Sequence, residues 1–303
     1  MPQLQVEPST DPSVNARNNL IAIGLMCLAV LLFGLLDTTA KFLTATYSSY
    51  QIAWCRYAFH LLIAALMLNP VTMPEVWRTR RLKLQILRGV FIVASSIGTF
   101  LALRTLQLDQ ATSIFFVSPL VVAVLAGPLL GEWIGPRRMA AVIVGFAGVL
   151  LVTRPGFDGF KWAFLLSLAA ATTNAIYSIL TRMVTRWDSS QTSFVYSGLL
   201  GTIMLAPALP FVWIWPDNWL DWLRFAATGV FGGIGHLFLI MAHRRAPAPI
   251  LAPFIYTSIV WNILFGLAVF GDVPDSWTLA GAAIVIAAGL YLLLRERPAS
   301  RNA

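Results

Sequence analysis

The stretch AVIVGFAGVLLV, residues 141–152, returns in altered form as AAIVIAAGLYLL at residues 282–293. A glycine-acid corner stands upstream of each: Gly131-Glu132 before the first and Gly271-Asp272 before the second. Earlier in each half, SSIGTFLAL (95–103) resembles GGIGHLFLI (232–240). Any two Gly- and Ala-rich apolar helices look alike, so a single match would carry little. Matched corners at similar spacing carry more, and they divide the chain into two copies of one unit.

Outward from these matches the chain is a succession of apolar runs. Ten are near the length of about 20 residues that crosses a bilayer as a helix: 19–44, 49–68, 85–104, 110–130, 138–153, 161–182, 191–214, 222–242, 247–270 and 277–294. Helix breakers mark several of the short links, among them Asn69-Pro70, Gly135-Pro136, Pro155-Gly156, Trp215-Pro216 and Val273-Pro274. Only 11% of the 303 residues are charged and 58% are hydrophobic, with mean hydropathy +0.76. Soluble domains are about a quarter charged, so this composition belongs in a membrane. With five runs per copy, the second copy starts from the opposite side. The expected fold is all-α and integral to the membrane: ten helices as two inverted-topology repeats, residues 19–155 and 161–297, after a disordered tail at 1–18.

The net charge of +8 could suggest nucleic acid until its residues are located. Fifteen of the 21 basic residues fall on the side of the N-terminus, from Arg17 and Arg78 through Arg88 to Arg301. Arg104, Arg154, Lys161 and Arg224 fall on the other side, and Lys41 and Arg56 inside runs. Positive charge marks the cytoplasmic face, so both termini are expected in the cytoplasm and no nucleic-acid surface is expected. Cys27 and Cys55 lie in apolar runs and form neither a disulfide framework nor a metal spacing.

The chain resembles the drug/metabolite transporter superfamily, and within it the ten-helix EamA-type branch. The resemblance runs from about residue 19 to 297 and rests on ALRTLQLDQATSIFFVSPLVVAVLAGPLLGE (102–132), the helix after it, and APFIYTSIVWNILFGLAVFGDVPDSWTLAGAAIVIAAGLYLLLRER (252–297). Asp272 stands where many relatives have Glu. The resemblance implies a secondary transporter of a multi-pass inner (plasma) membrane protein type, without cofactor or metal. Relatives move amino acids, S-adenosylmethionine, riboflavin or metal-chelating metabolites, through a cavity framed by the first, third, fourth, sixth, eighth and ninth helices. Export of a small amino acid or related metabolite is the first expectation; uptake of S-adenosylmethionine, riboflavin or a similar solute is the second. An enzyme is disfavoured, because no HExxH, GxSxG or close His/Asp/Cys set is present, and no GxxxxGK[ST] loop supports ATP-driven pumping. A channel would normally show a symmetric pore helix per subunit instead of a polar cavity between repeats.

Polar residues inside the runs mark the expected pathway. A charge at the bilayer centre costs about 2.5–3.5 kcal/mol, so each needs a reason. Asp37 and Lys41 are spaced i, i+4 on one helix face. Arg56 lies at similar depth beyond the hairpin at Tyr47, which predicts an Asp37–Arg56 pair with Lys41 as a competing partner. It would be either a lock that neutralises itself or a gate in contact with substrate; proton coupling at Asp37 ranks below both, because two nearby cations would hold its carboxyl low. Alignment of GLLDTTAKFLT (34–44) with ATTNAIYSILT (171–181) puts Asn174 opposite Asp37, with Tyr177 one turn on. His236 falls opposite Thr99 and, beside Gly232, Gly233 and Gly235, could couple transport to protons. Ser95, Phe116, Pro119, Tyr256, Trp261 and Asn262 complete the expected pathway, Pro119 by breaking a helix where a cavity could form. Gly145, Gly148, Gly281 and Gly289 permit close packing, either within the chain or at a homodimer seam.

Overall fold

In the structure, a computed structural model, residues 12–131, 133, 135–154, 161–246 and 248–295 are described. Glu132 of the first corner, residues 1–11 of the expected tail, and Arg297 and Arg301 lie outside them. The described residues form ten helical passes: α1 Pro12–Leu43, α2 Ser49–Met67, α3 Leu82–Leu103, α4 Leu108–Leu130, α5 Pro136–Thr153, α6 Ala163–Val184, α7 Ser190–Val212, α8 Trp219–His243, α9 over 248–270 and α10 Ser276–Arg295. Seven of them are long and apolar enough to cross a membrane unaided; α5 and α10 have shorter apolar cores. The remaining pass, α2, turns its polar Gln51 and His60 into the protein. Helix α1 begins at Pro12, inside the stretch expected to be tail. No proline follows Pro12 before the apolar run, so nothing in that stretch breaks the helix.

The packing repeats about a pseudo-twofold axis. Helix α1 lies along α8 as α6 lies along α3, while α2 packs against α7 and α5 against α10. The α5–α10 crossing settles the role of the small residues in favour of packing within the chain: a Cβ on Gly281 would stand 2.5 Å from the Gly148 carbonyl oxygen. The corner glycines are needed for a different reason. Gly131 and Gly271 have φ of 76° and 70°, left-handed values that a side chain would strain.

Helices α4 and α9 are broken at matching points. The first runs Leu108–Phe115 and resumes at Ser118–Leu130, with Pro119 in its new first turn. The second runs Ala248–Ile255, resumes at Thr257–Phe265, and ends in a π turn over Gly266–Phe270. Proline withholds a backbone donor at each break, and side-chain hydroxyls take up carbonyls nearby: Thr112 Oγ1 donates to Leu108 O at 2.7 Å, and Thr257 Oγ1 to Phe254 O at 2.6 Å.

Candidate functional site

The two breaks meet. Phe116 and Tyr256, each 15 residues before its corner glycine, pack with ring centroids 4.8 Å apart at the pseudo-twofold axis. Beyond them, toward the α1–α2 hairpin, the α4 and α9 halves lie against one another. On the N-terminal side they diverge, the second half of α4 leaning on α6 and the first half of α9 on α1. The molecule is therefore clamped on the hairpin side.

Three contacts make that clamp. Lys41 Nζ pairs with Asp272 Oδ2 at 2.5 Å and lies 4.6 Å over the Phe270 ring, tying α1 to the α9–α10 corner. Asn262 donates from Nδ2 to Thr112 Oγ1 at 2.5 Å, tying α9 to α4. Gly34 leaves room for this: a Cβ there would stand 3.1 Å from Asn262 Oδ1, an atom that is buried and without a hydrogen-bond partner among the described residues.

The expected Asp37–Arg56 pair is not formed. Arg56 instead passes Gly232 of α8 and donates from NH1 to Ser96 Oγ of α3 at 2.7 Å. Its guanidinium lies 5.8 Å from the Phe100 ring centroid and 5.3 Å from that of Tyr57, whose hydroxyl shares Ser96 Oγ at 2.6 Å. Lys41 does not compete for Asp37, because Asp272 holds it. Helix rotation and the distant corner decided the partners. Asp37 is left half-buried, with no hydrogen bond or ion pair among the described residues.

The remaining pathway candidates divide. Asn174 donates to Ser118 Oγ at 3.1 Å, joining α6 to α4 next to its break. Thr99 is half-buried, one turn from Ser96. Ser95 is buried and donates to Ala170 O at 3.0 Å, which is a helix–helix bond. Trp261 stacks on Phe265 with centroids 6.1 Å apart and packs with the apolar cluster around Met26 and Leu251. His236 sets its ring edge against Phe33 at 5.2 Å and stands 6.2 Å from His60, which bonds Phe194 O at 3.1 Å.

Arg88, counted in the sequence as a marker of the N-terminal side, is 1% exposed in the second turn of α3. It donates to Gln85 Oε1 at 2.9 Å, Tyr177 Oη at 3.1 Å and Ser193 O at 2.5 Å, and stacks on the Tyr177 ring. Tyr177 thus belongs to a three-helix knot of α3, α6 and α7. The signal that could have found it was a charge inside the run 85–104.

Below that knot, the α6–α7 loop is fastened to the segment before α3. Asp188 accepts from Thr79 Oγ1, from the Arg80 N–H at 2.9 Å and from Gln85 Nε2 at 2.9 Å. Burial pushes its carboxyl up, but these donors outweigh that and hold it below the usual aspartate value. A depressed folded value means stability that is present above the unfolded value of about 4 and lost as pH falls through the folded one. Asp188→Asn is expected to lower the stability of the detergent-solubilised protein by about 2 kcal/mol at neutral pH and to flatten its loss on acidification. Thermal unfolding followed from neutral pH to about pH 3 tests this; wild-type behaviour throughout would refute it.

A lateral cavity of about 260 Å³ lies between α5 and α6, lined by Phe146, Val149, Leu150, Thr153, Phe164, Leu165 and Leu168. Its wall is almost wholly apolar and away from the polar groups above, so it takes no part in the candidate site.

Two inverted halves, each with a broken helix meeting at the axis, and polar groups gathered around that meeting, define a membrane transporter. Residues 20–154 and again 161–295 match the EamA-like transporter family, and the chain belongs to that family. It is 29% identical over 282 residues to a riboflavin transporter of Vibrio cholerae, covering 91% of this chain and 94% of that one. It is 26% identical over 286 residues to an S-adenosylmethionine uptake transporter of Rickettsia felis, covering 93% and 96%. A crystal structure superposes with a TM-score of 0.63 at 18% identity, covering 91% of this chain and 99% of the other, a likeness of fold alone.

Proposed function

We propose that this transporter is an uptake carrier for a ring-bearing organic metabolite of the riboflavin or S-adenosylmethionine kind, working by alternating access in a bacterial inner membrane. The observation that carries the reading is the aromatic pair Phe116–Tyr256 at the axis, flanked by the amides Asn174 and Asn262. Aromatic faces favour a flat ring through offset or edge contacts, and amides read its donors and acceptors. The clamp on the hairpin side and the divergence on the N-terminal side describe one end-state of a rocking cycle about that pair. The excess of basic residues on the N-terminal side supports a cytoplasmic placement of that side, and with it an inward-facing end-state. The two relatives named above favour this reading over export of a small amino acid, the first expectation from sequence.

Proteoliposomes test the reading. Labelled riboflavin or S-adenosylmethionine should show saturable counterflow, with and without a proton gradient, while labelled phenylalanine should not. Counterflow of the amino acid alone would overturn the substrate class. Conductance beyond carrier rates would overturn alternating access.

A further inference from the structure

We propose that Asp37 is the proton-binding residue of this carrier, so that its protonation sets the balance between the inward- and outward-facing forms. The proposal rests on the alternating-access reading above and adds the coupling ion to it.

Asp37 is a carboxylate in the hairpin-side part of α1, six residues before the helix ends at Leu43. Its surroundings are protein. Phe33, one turn back on the same face, meets His236 of α8. Gly34 meets Asn262 and Phe265 of α9, and Lys41, one turn on, meets Asp272. Asp37 therefore faces the seam where α1 joins α8 and α9, which lies between the halves and not toward lipid.

No side chain on the elements around it makes a hydrogen bond or ion pair with it among the described residues. Thr38 and Thr39 donate to their own backbone, to Gly34 O and Leu35 O, both at 2.7 Å. Lys41 is spent on Asp272. Arg56 of α2 keeps its charge and acts on Asp37 through space, but it does not bond to it: NH1 donates to Ser96 and the guanidinium face lies by Tyr57 and Phe100. On α3, Arg88 is held by Gln85, Tyr177 and Ser193; on α4, Asp109 stands in the first turn of its own helix. His60 is bonded to Phe194 O, and His236 makes no ion pair among the described residues. A carboxylate in the membrane interior without a bonded counter-charge is relieved by binding a proton from whichever aqueous side the seam opens to.

The repeat supplies the coupling. Asn174, opposite Asp37 in the other half, is bonded to Ser118 and does not titrate. The titratable group is thus present in one half only. When the halves exchange conformations, the clamp at Lys41–Asp272 opens and the charges around Asp37 are redistributed. Its proton affinity must then differ between the two forms, and by linkage protons must shift their populations by the same factor. One proton binds to a carboxylate oxygen facing one side and leaves to water on the other.

The test needs no substrate. Spin labels at Thr46→Cys in the hairpin and Val273→Cys beyond the α9 corner, in a Cys27→Ser/Cys55→Ala background, report whether the hairpin side is closed. In the wild-type frame, the ratio of closed to open forms should change about tenfold or more between about pH 5 and about pH 8. Asp37→Asn should flatten this to less than about twofold, and Asp37→Glu should keep a titration with a moved midpoint. His236→Gln should keep the wild-type profile. A flat wild-type profile, an Asp37→Asn profile like wild type, or an unmoved midpoint in Asp37→Glu would each overturn the proposal. Should the Asn variant fail to fold, the Glu variant decides alone. Failure of riboflavin and S-adenosylmethionine counterflow would strike the substrate reading and leave this titration standing.

Discussion

Lys41→Met is expected to open the hairpin side of the carrier and to cut net uptake about tenfold or more. The Lys41–Asp272 pair is 2.5 Å long with its side chains only 15% and 21% exposed. It lies between the surface case, worth about 0–1 kcal/mol, and the fully buried case, where removing one partner costs about 3–5 kcal/mol. Allowing for partial solvent screening, about 1–3 kcal/mol is lost from the closed form alone, a shift of roughly 5- to 150-fold. A carrier held open on one side returns slowly, so its turnover falls with that shift. The same loss should appear as a longer distance between labels at positions 46 and 273. Asp272→Asn should do likewise, and the double variant Lys41→Met/Asp272→Asn should recover part of the closed population, since no unpaired charge remains. Distances and uptake that match wild type in both single variants would show that the pair is not a clamp.

The largest effect on stability is expected at Arg88. The side chain is 1% exposed, and it bonds neutral acceptors on three elements of the fold. Arg88→Met keeps much of the volume but strands Gln85 Oε1, Tyr177 Oη and the Ser193 carbonyl. Unmade bonds to a buried charged group cost about 1.5–3 kcal/mol each in isolation and are not additive, so a total of about 3–5 kcal/mol is expected. Arg88→Lys should restore little, because an ammonium cannot reach three acceptors arranged around a planar fork. Melting of the detergent-solubilised variants measures this. A melting temperature for Arg88→Met within about 1 °C of wild type would be too small for even a 1 kcal/mol loss and would refute it.

Much of the architecture was legible before any coordinates. The ten passes followed from run length, and the inverted repeat from the paired corners Gly131-Glu132 and Gly271-Asp272. Pro119 marked the break of α4, because a missing backbone donor is a local fact of covalent structure. The residues near the axis, Phe116, Tyr256, Asn174 and Asn262, were found because aromatics and amides stand out in such apolar helices. Ser95 and Trp261 stood out equally, yet the structure gives them to helix packing.

The partners of the charges were not legible. Lys41 and Asp272 are 231 positions apart, and their meeting depends on α9 lying against α1. That contact exists because Gly34 lets Asn262 and Phe265 approach, and because a left-handed Gly271 turns the next residue back toward α1. Arg56 reaches Ser96 because α3 packs beside α2, while Gly232 of α8 lets Leu36 of α1 approach, a Cβ there standing 2.9 Å from Leu36 Cδ1. Sequence by itself determined which segments cross the membrane, their number, their repeat and their breaks, since hydropathy and backbone chemistry act over one or two helical turns. Tertiary structure alone decided which charge finds which partner and which carboxylates, Asp37 and the buried Asp109, have no ion pair among the described residues. Those outcomes depend on the rotation and close approach of helices far apart in the chain, and no local pattern encodes them.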